Sequence, residues 1–276
     1  MKRKLKEVEN WLKLQPGELR DLTIAVLVLA FCFGFRWEGP KTFGMWALNF
    51  ILMFVLVAFS IAIHESAHRW LAAKYLARVR SKLFLSGIIA ALVLVFITNG
   101  FFIFAALWAI TISSIYTYRP GRPYPKWHLG PYERAKIALI GPLANFGLAI
   151  VAKMLIPIMG TVAEKLMIIN IWLAVINLFP FFTLLPILFW QMAPVIKKEI
   201  AKGTPYIEGE YVFFGSRPLW LFSFVFVIVG GLALVSLGLF LSLALAFLVA
   251  FGLYLAWHYW LERGPKERWY KPAKPL

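Results

Sequence analysis

Long apolar runs, separated by short polar segments, follow one another along most of this chain. A helix that crosses a bilayer needs about 20 mainly apolar residues, with a range of roughly 17–25. Two runs are about twice that length, and each is expected to turn back near its middle, at Asn99-Gly100 and at 236–238. The predicted spans occupy 22–37, 43–63, 83–118 (two spans), 137–159, 166–190 and 219–260 (two spans). The predicted fold class is an all-α polytopic membrane protein with about eight transmembrane helices.

Basic residues provide an independent test of these spans. The chain carries 29 Lys and Arg against 13 acidic residues, a formal net charge of +16. They cluster before the first span, after the second, fourth and sixth spans, and at the end of the chain, whereas the other connections carry little charge. Cytoplasmic loops are enriched in Lys and Arg. We therefore expect a multi-pass protein with both termini in the cytoplasm; a prokaryotic cell membrane is implied by the motif resemblance described below.

No internal repeat and no linker to a second domain is evident, so residues 1–276 are predicted to form a single membrane-embedded domain. Its predicted parts are a cytoplasmic N-terminal segment (1–21), a core (43–190), a cytoplasmic insertion (191–218), and C-terminal helices with a tail (219–276). One short membrane-associated β element is expected besides the helices. Residues 78–85 or the segment around 211–214 could supply this strand.

Composition excludes several classes of protein. Hydrophobic residues make up 61% of the chain and charged residues 15%, whereas an ordinary soluble domain is about 45–50% apolar. The lipid bilayer is therefore the expected surrounding. Nucleic-acid binding is not expected, because the basic segments lie between apolar runs and contain no recognisable reading module. The single cysteine, Cys32, excludes an intramolecular disulfide framework and a cysteine zinc site.

The second apolar run ends in a cluster of ionisable residues, His64-Glu65-Ser66-Ala67-His68. Residues four apart lie on one face of a helix, so both imidazoles can reach one metal ion, and Glu65 lies where it can take a proton from a metal-bound water. The alternative is a polar helix end whose histidines extend to water. Ionisable groups at membrane depth are costly, which favours the metal site.

Three short motifs resemble those of the site-2 protease family of intramembrane zinc metalloproteases. They are HESAH at 64–68, GPLAN at 141–145, and NLFP at 177–180, which is similar to the start of the family motif that carries the third metal ligand. The resemblance implies one zinc ion per chain, a metalloprotease core over 43–190, and Glu65 as the catalytic base. It also implies that Asn145 and Asn177 lie near the substrate backbone or the oxyanion. From the residues alone, these buried amides could equally hold helices together.

The third ligand departs from the family pattern. An Asp-Gly pair follows Asn-x-x-Pro closely in that family, but here no carboxylate follows Pro180, and Asp21 is the sole aspartate. The segment PYIEG at 205–209 resembles the missing part of the motif, with Glu208 in place of the aspartate and about two dozen residues inserted. Glutamate is a normal zinc ligand. Glu208 is therefore predicted as the third ligand. The alternatives are Glu210, His128, or a pair of loop carboxylates that only face nearby lysines.

The resemblance implies hydrolysis of peptide bonds within or near transmembrane helices of a substrate protein, close to the cytoplasmic face. Two other functions remain open. The missing aspartate motivates a catalytically inactive member that acts as a membrane-protein binding scaffold. An intramembrane His-Glu cluster can also belong to a metal or ion transporter, but Lys153 is the main charge within the other spans. The oligomeric state does not follow from the sequence.

Overall fold

The computed structural model describes residues 14–35, 42–114, 129–181, 183 and 206–259. Within these residues the chain forms eight helices and one two-stranded sheet, which agrees with a helical membrane protein carrying a short β element. In chain order the elements are α1 Glu18–Phe35, α2 Phe43–Lys74, β1 Ala77–Leu83, α3 Leu85–Ile97, β2 Trp108–Ser114, α4 Pro131–Met159, α5 Thr161–Leu178, α6 Glu208–Gly215, α7 Arg217–Ser236 and α8 Leu239–Trp257.

Five helices of the described part, α2, α4, α5, α7 and α8, are long and apolar enough to cross a membrane. Large apolar side chains point outward from them, for example Ile158 on α4 and Phe240 on α8, as expected for surfaces that face lipid rather than water. Helix α3 has 13 residues and rises about 20 Å, which is short of the roughly 30 Å of hydrocarbon in a bilayer.

The predicted fourth span, in the second half of 83–118, is wrong. Asn99 and Gly100 both have positive φ, and the Gly100 amide donates to the Val95 carbonyl, so the chain turns sharply after α3. It continues without regular structure and then forms β2, which pairs antiparallel with β1. The aromatic and β-branched residues of β2 favour a strand. Because β1 and β2 pair, the chain returns after α3 to the level at which it left β1.

Three other expectations about the elements have clear outcomes. Of the two alternative locations for the strand, residues 78–83 lie in β1, whereas residues 211–214 lie within α6. The continuation of the second helix through the HESAH cluster is confirmed, since α2 extends to Lys74. Helix α5 ends at Leu178, and residues 184–190 of the predicted sixth span lie outside the described residues.

Helix α4 is central to the packing, because it contacts α2, α5 and α6. Close approach depends on small residues. A side chain at Gly215 would meet the Pro131 carbonyl oxygen and the Ala135 methyl group, each at 2.5 Å, so α6 and the start of α4 can touch only at a glycine. The antiparallel pair of β1 and β2, whose strands are connected through α3 and which is called the hairpin below, packs beside α1 and α2. The HESAH end of α2 is therefore enclosed by α4, α6 and the hairpin.

Candidate metal centre

Three buried side chains, His64, His68 and Glu208, converge at the enclosed end of α2. The Nε2 atom of His64 lies 2.8 Å from Glu208 Oε1, and the Nε2 atom of His68 lies 3.2 Å from the same oxygen. The two Nε2 atoms are 3.1 Å apart. Two imidazole nitrogens and one carboxylate oxygen are donors that zinc uses in three-ligand sites. This group could therefore hold one metal ion.

Glu208 reaches this position because α6 begins where α5 ends. A side chain at Gly209 would lie 2.5 Å from the Leu178 carbonyl oxygen, so the glycine lets the two backbones touch. The segment before Glu208 is anchored as well, since the Ile110 amide of β2 donates to the Tyr206 carbonyl. The NLFP motif and residues 206–209, although separated in sequence, are thus adjacent in space.

His68 is held in the tautomer that a metal ligand needs. Its Nδ1 atom lies 2.6 Å from the Ile137 carbonyl oxygen on α4, an acceptor that requires the ring proton on Nδ1. The Nε2 lone pair is then free to face the metal position. Space for both rings comes from Gly141, where an added Cβ would lie 2.6 Å from His68 Cε1 and 2.8 Å from His64 Cε1.

His64 has a side-chain partner on α4. Its Nδ1 atom lies 2.9 Å from the Asn145 Nδ2 atom, whereas the buried Asn145 Oδ1 atom has no partner among the described residues. A histidine that binds metal through Nε2 carries its proton on Nδ1 and needs an acceptor there. Exchanging the two ends of the Asn145 amide puts its carbonyl oxygen at this place and gives both groups a partner.

We expect Asn145→Ala to weaken zinc binding by about 10- to 100-fold, the usual effect of losing the partner of a ligand histidine. Asn145→Asp keeps an oxygen acceptor and should bind zinc more tightly than the alanine variant. Competition with a chromophoric chelator measures both affinities. Asn170→Ala is the control, because Asn170 is also a buried amide but donates to Ser60, one turn before His64 on α2, and not to a histidine. Equal losses at positions 145 and 170 would contradict this role.

Glu65 lies beside the three converging side chains and has its own partners. The Ser81 hydroxyl of β1 lies 2.8 Å and 2.7 Å from the two carboxylate oxygens. The Arg69 guanidinium, one turn further along α2, is 3.2 Å from Glu65 Oε2. Neither Ser81 nor Arg69 is a sequence-predicted site residue. A signal for Ser81 does exist, because it is the one polar residue on the inward face of β1, between Val79 and Leu83.

The other sequence-predicted residues have different positions. Glu210 faces away from the histidines, and its Oε1 atom accepts from the Thr183 amide at 3.1 Å. Asn177 is buried near the end of α5, and its Nδ2 atom has no partner among the described residues. His128 lies outside the described residues. The predicted contacts of Asn145 and Asn177 with substrate stay predictions.

The chemistry of Glu208 fits a cation. Burial alone would raise its pKa, but positive charge and hydrogen bonds from His64 and His68 lower the pKa, so a positive partner at this position favours the carboxylate anion. Its Oε2 atom is buried and has no hydrogen-bond partner among the described residues. An unsatisfied buried carboxylate oxygen is costly unless a ligand completes it. The donor set and this spare oxygen both fit Zn²⁺.

Comparison with known proteins agrees with this chemistry. Neither a protein-family model nor a solved structure matches the chain significantly. A curated protein of the archaeon Methanocaldococcus jannaschii, named "Putative zinc metalloprotease MJ0611", is 32% identical over 196 residues, which cover 71% of this chain and 88% of the relative. Identity of this degree over most of both proteins, together with the His-His-Glu group, shows that the chain belongs to this family of zinc metalloproteases.

Proposed function

We propose that this protein is an intramembrane zinc metalloprotease, which hydrolyses peptide bonds within or near transmembrane helices of a substrate protein. His64, His68 and Glu208 bind one zinc ion, and Glu65 is the general base. The observation that carries the proposal is the convergence of His64, His68 and Glu208 at a helix long and apolar enough to cross a membrane. Zinc, when bound, supplies a Lewis acid that polarises the scissile carbonyl and acidifies water.

The position of the histidines along α2 supports a reaction near one face of the bilayer. Twenty-one residues separate Phe43 from His64, a rise of about 32 Å, and the hydrocarbon core is about 30 Å thick. The positive-inside rule makes this the cytoplasmic face, because basic residues follow α2. On this proposal, the water for hydrolysis enters from the cytoplasm and does not have to cross the bilayer.

The chain's own residues account for the remaining chemistry. The Glu65 carboxylate accepts a proton from the attacking water and later delivers it to the leaving amine, a role that contributes typically 10²–10⁴-fold in rate. The backbone of a transmembrane helix is hydrogen-bonded internally, so the substrate has to unwind locally before hydrolysis. Helix-breaking residues in the substrate would lower this cost.

The test combines zinc content with cleavage by the protein purified in detergent. The probe is a fluorogenic peptide with an apolar stretch of about 20 residues, interrupted near its cytoplasmic end by Asn, Gly and Pro. We expect about one zinc per chain in the wild type, and in Glu65→Gln we expect the same zinc content with cleavage lowered by about 10²- to 10⁴-fold. The control is Glu164→Gln, an exposed carboxylate at the start of α5.

Two outcomes would contradict the proposal. A wild-type protein that binds no zinc after reconstitution is not a zinc enzyme. If the Glu65→Gln variant cleaves as fast as the wild type, Glu65 is not the general base. Zinc binding without cleavage of this peptide, or of a mixture of transmembrane peptides analysed by mass spectrometry, would instead support the binding scaffold.

A further inference from the structure

Four buried side chains, Glu18, Glu65, Arg69 and Ser81, form a closed polar cluster between α1, α2 and β1. Ser81 bonds both carboxylates, through its hydroxyl to Glu65 and through its backbone amide to Glu18 at 2.8 Å. Arg69 lies 3.2 Å from Glu65 and 3.6 Å from Glu18. Burying two carboxylates is costly, and the metal ligands do not need this cluster. Its cost suggests a role beyond packing.

The geometry at Glu65 is specific. A serine hydroxyl has one proton, so contacts of 2.8 Å and 2.7 Å to the two carboxylate oxygens describe a shared hydrogen bond along the axis of the carboxylate. Such a contact fixes the position of the carboxylate, and the approach of Arg69 to Oε2 restricts the rotation of its plane. Arg69 approaches Oε2 from the same helix and offsets the negative charge. Glu65 is therefore held from two directions.

Ser81 is itself held firmly. It lies opposite Ile110 in the β1–β2 pair, and the Ile110 amide points away from β1 to the Tyr206 carbonyl. The Ser81 amide accordingly points to the outer edge of β1, where it donates to Glu18. Asp21, nearly one turn along α1, accepts from the Leu83 amide at 3.3 Å on the same edge. Helix α1 and strand β2 thus fix β1 from opposite sides.

The hairpin also contacts the metal centre. The Trp108 ring, at the start of β2, lies edge-on to the His64 ring with centroids 5.7 Å apart. Trp108 is opposite Leu83 in the sheet, so one rigid hairpin touches both a candidate ligand and, through Ser81, the neighbouring Glu65. A displacement of Ser81 would move the carboxylate relative to the histidines.

We propose that Ser81 is a positioning residue that orients the Glu65 carboxylate for proton transfer, with Arg69 and Glu18 as its supports. The inference rests on the proposed function, because it assigns Glu65 the role of general base. Displacements of about 1 Å at a reacting group can cost about 10²-fold in rate. A glutamate side chain has several rotatable bonds, and only an anchored one returns to a single place at each turnover.

The test is a comparison of Ser81 variants by steady-state cleavage of the fluorogenic peptide. We expect Ser81→Ala to lower kcat by about 10- to 100-fold, with KM and zinc content near the wild-type values. Ser81→Thr keeps the hydroxyl and should recover most of kcat. Ser81→Cys is close in shape and a weak donor; it should fold and show lowered kcat even if the alanine variant does not fold.

The matched control is Ser242→Ala. Ser242 is also a buried serine, and its hydroxyl donates to the carbonyl of Gly238, which directly precedes α8, and not to Glu65. A second readout needs neither zinc nor substrate. In the zinc-free protein, the effects of Ser81→Ala and Glu65→Gln on thermal unfolding should be non-additive, as for two groups in contact, whereas Ser242→Ala and Glu65→Gln should be additive.

The possible results distinguish failure of the positioning role of Ser81 from failure of the proposed protease function. Cleavage by the wild type with unchanged kcat in both Ser81→Ala and Ser81→Cys would overturn the positioning role and leave the proposed function standing. Equal losses in Ser81→Ala, Ser81→Thr and Ser242→Ala would also overturn it, because packing and not the hydroxyl would be responsible. A wild type without zinc or cleavage would overturn the proposed function and the positioning role together.

Discussion

Replacing Glu208 with alanine is expected to remove zinc from the purified protein, whereas replacing Glu210 with alanine should leave it bound. Both residues are buried in the first turn of α6, so the two changes remove the same group from similar surroundings. Their partners differ. Glu208 Oε1 lies within 3.2 Å of both histidine Nε2 atoms, whereas Glu210 accepts from the Thr183 amide and hydroxyl.

The expected size of this effect is large. Two histidines and one carboxylate form the smallest set that holds zinc in typical hydrolytic sites, and two histidines alone do not replace it. Elemental analysis after dialysis should give about one zinc per chain in the wild type and in Glu210→Ala, and less than about a tenth in Glu208→Ala. Zinc retained in Glu208→Ala, or lost equally in both variants, would exclude Glu208 as the displaced third ligand.

Gly141→Ala is expected to abolish zinc binding without touching a ligand. The added methyl carbon would lie 2.6 Å from His68 Cε1 and 2.8 Å from His64 Cε1, and nearer still to His68 Nε2. Such approaches are far inside van der Waals contact, and α4 is packed on α2 along this face. The rings would have to turn away or the helices separate, and either movement breaks the convergence with Glu208.

The same helix offers a control for this substitution. Gly147, six residues further along α4, has no atom within 4 Å of an added Cβ, and alanine is the better helix former. Gly147→Ala should therefore keep zinc and cleavage and leave the thermal midpoint unchanged or slightly higher. Measurements of zinc content and thermal unfolding for Gly141→Ala and Gly147→Ala test this prediction. Full zinc occupancy in Gly141→Ala would show that the glycine is not what makes room for the rings.

Local patterns predicted the helices of this protein well where hydropathy and helical spacing act over few residues. The α2 helix and the pairing of His64 with His68 follow from an apolar run and a four-residue interval. The sequence also predicted the turn at Asn99-Gly100, where both residues have positive φ. The predicted fourth span, which was to follow that turn, is wrong because the chain forms β2 there. A run of apolar residues is compatible with a helix or with a buried strand. Charge placement could not separate the two, because a helix followed by a strand that pairs with β1 and two full spans both bring the chain back to the level at which it left.

The third ligand shows a different limit. The PYIEG resemblance made Glu208 the predicted ligand, but Glu210, the same residue type two positions away, remained an alternative. In the structure the choice depends on Gly209, whose missing side chain lets α6 touch the end of α5. The first residue of α6 is then turned toward the histidines, and the third toward Thr183.

By itself, the sequence determined that this chain forms apolar helices suited to a bilayer, that two histidines share a helix face, and that Glu65 is beside them, because these properties depend on neighbours within a few turns. The tertiary structure alone decided which carboxylate joins the histidines, across 144 residues of chain, and that Ser81 meets Glu65. Such contacts arise from how α4, α6 and the hairpin pack around α2. That packing depends on shape and close approach between distant segments, which no short pattern encodes.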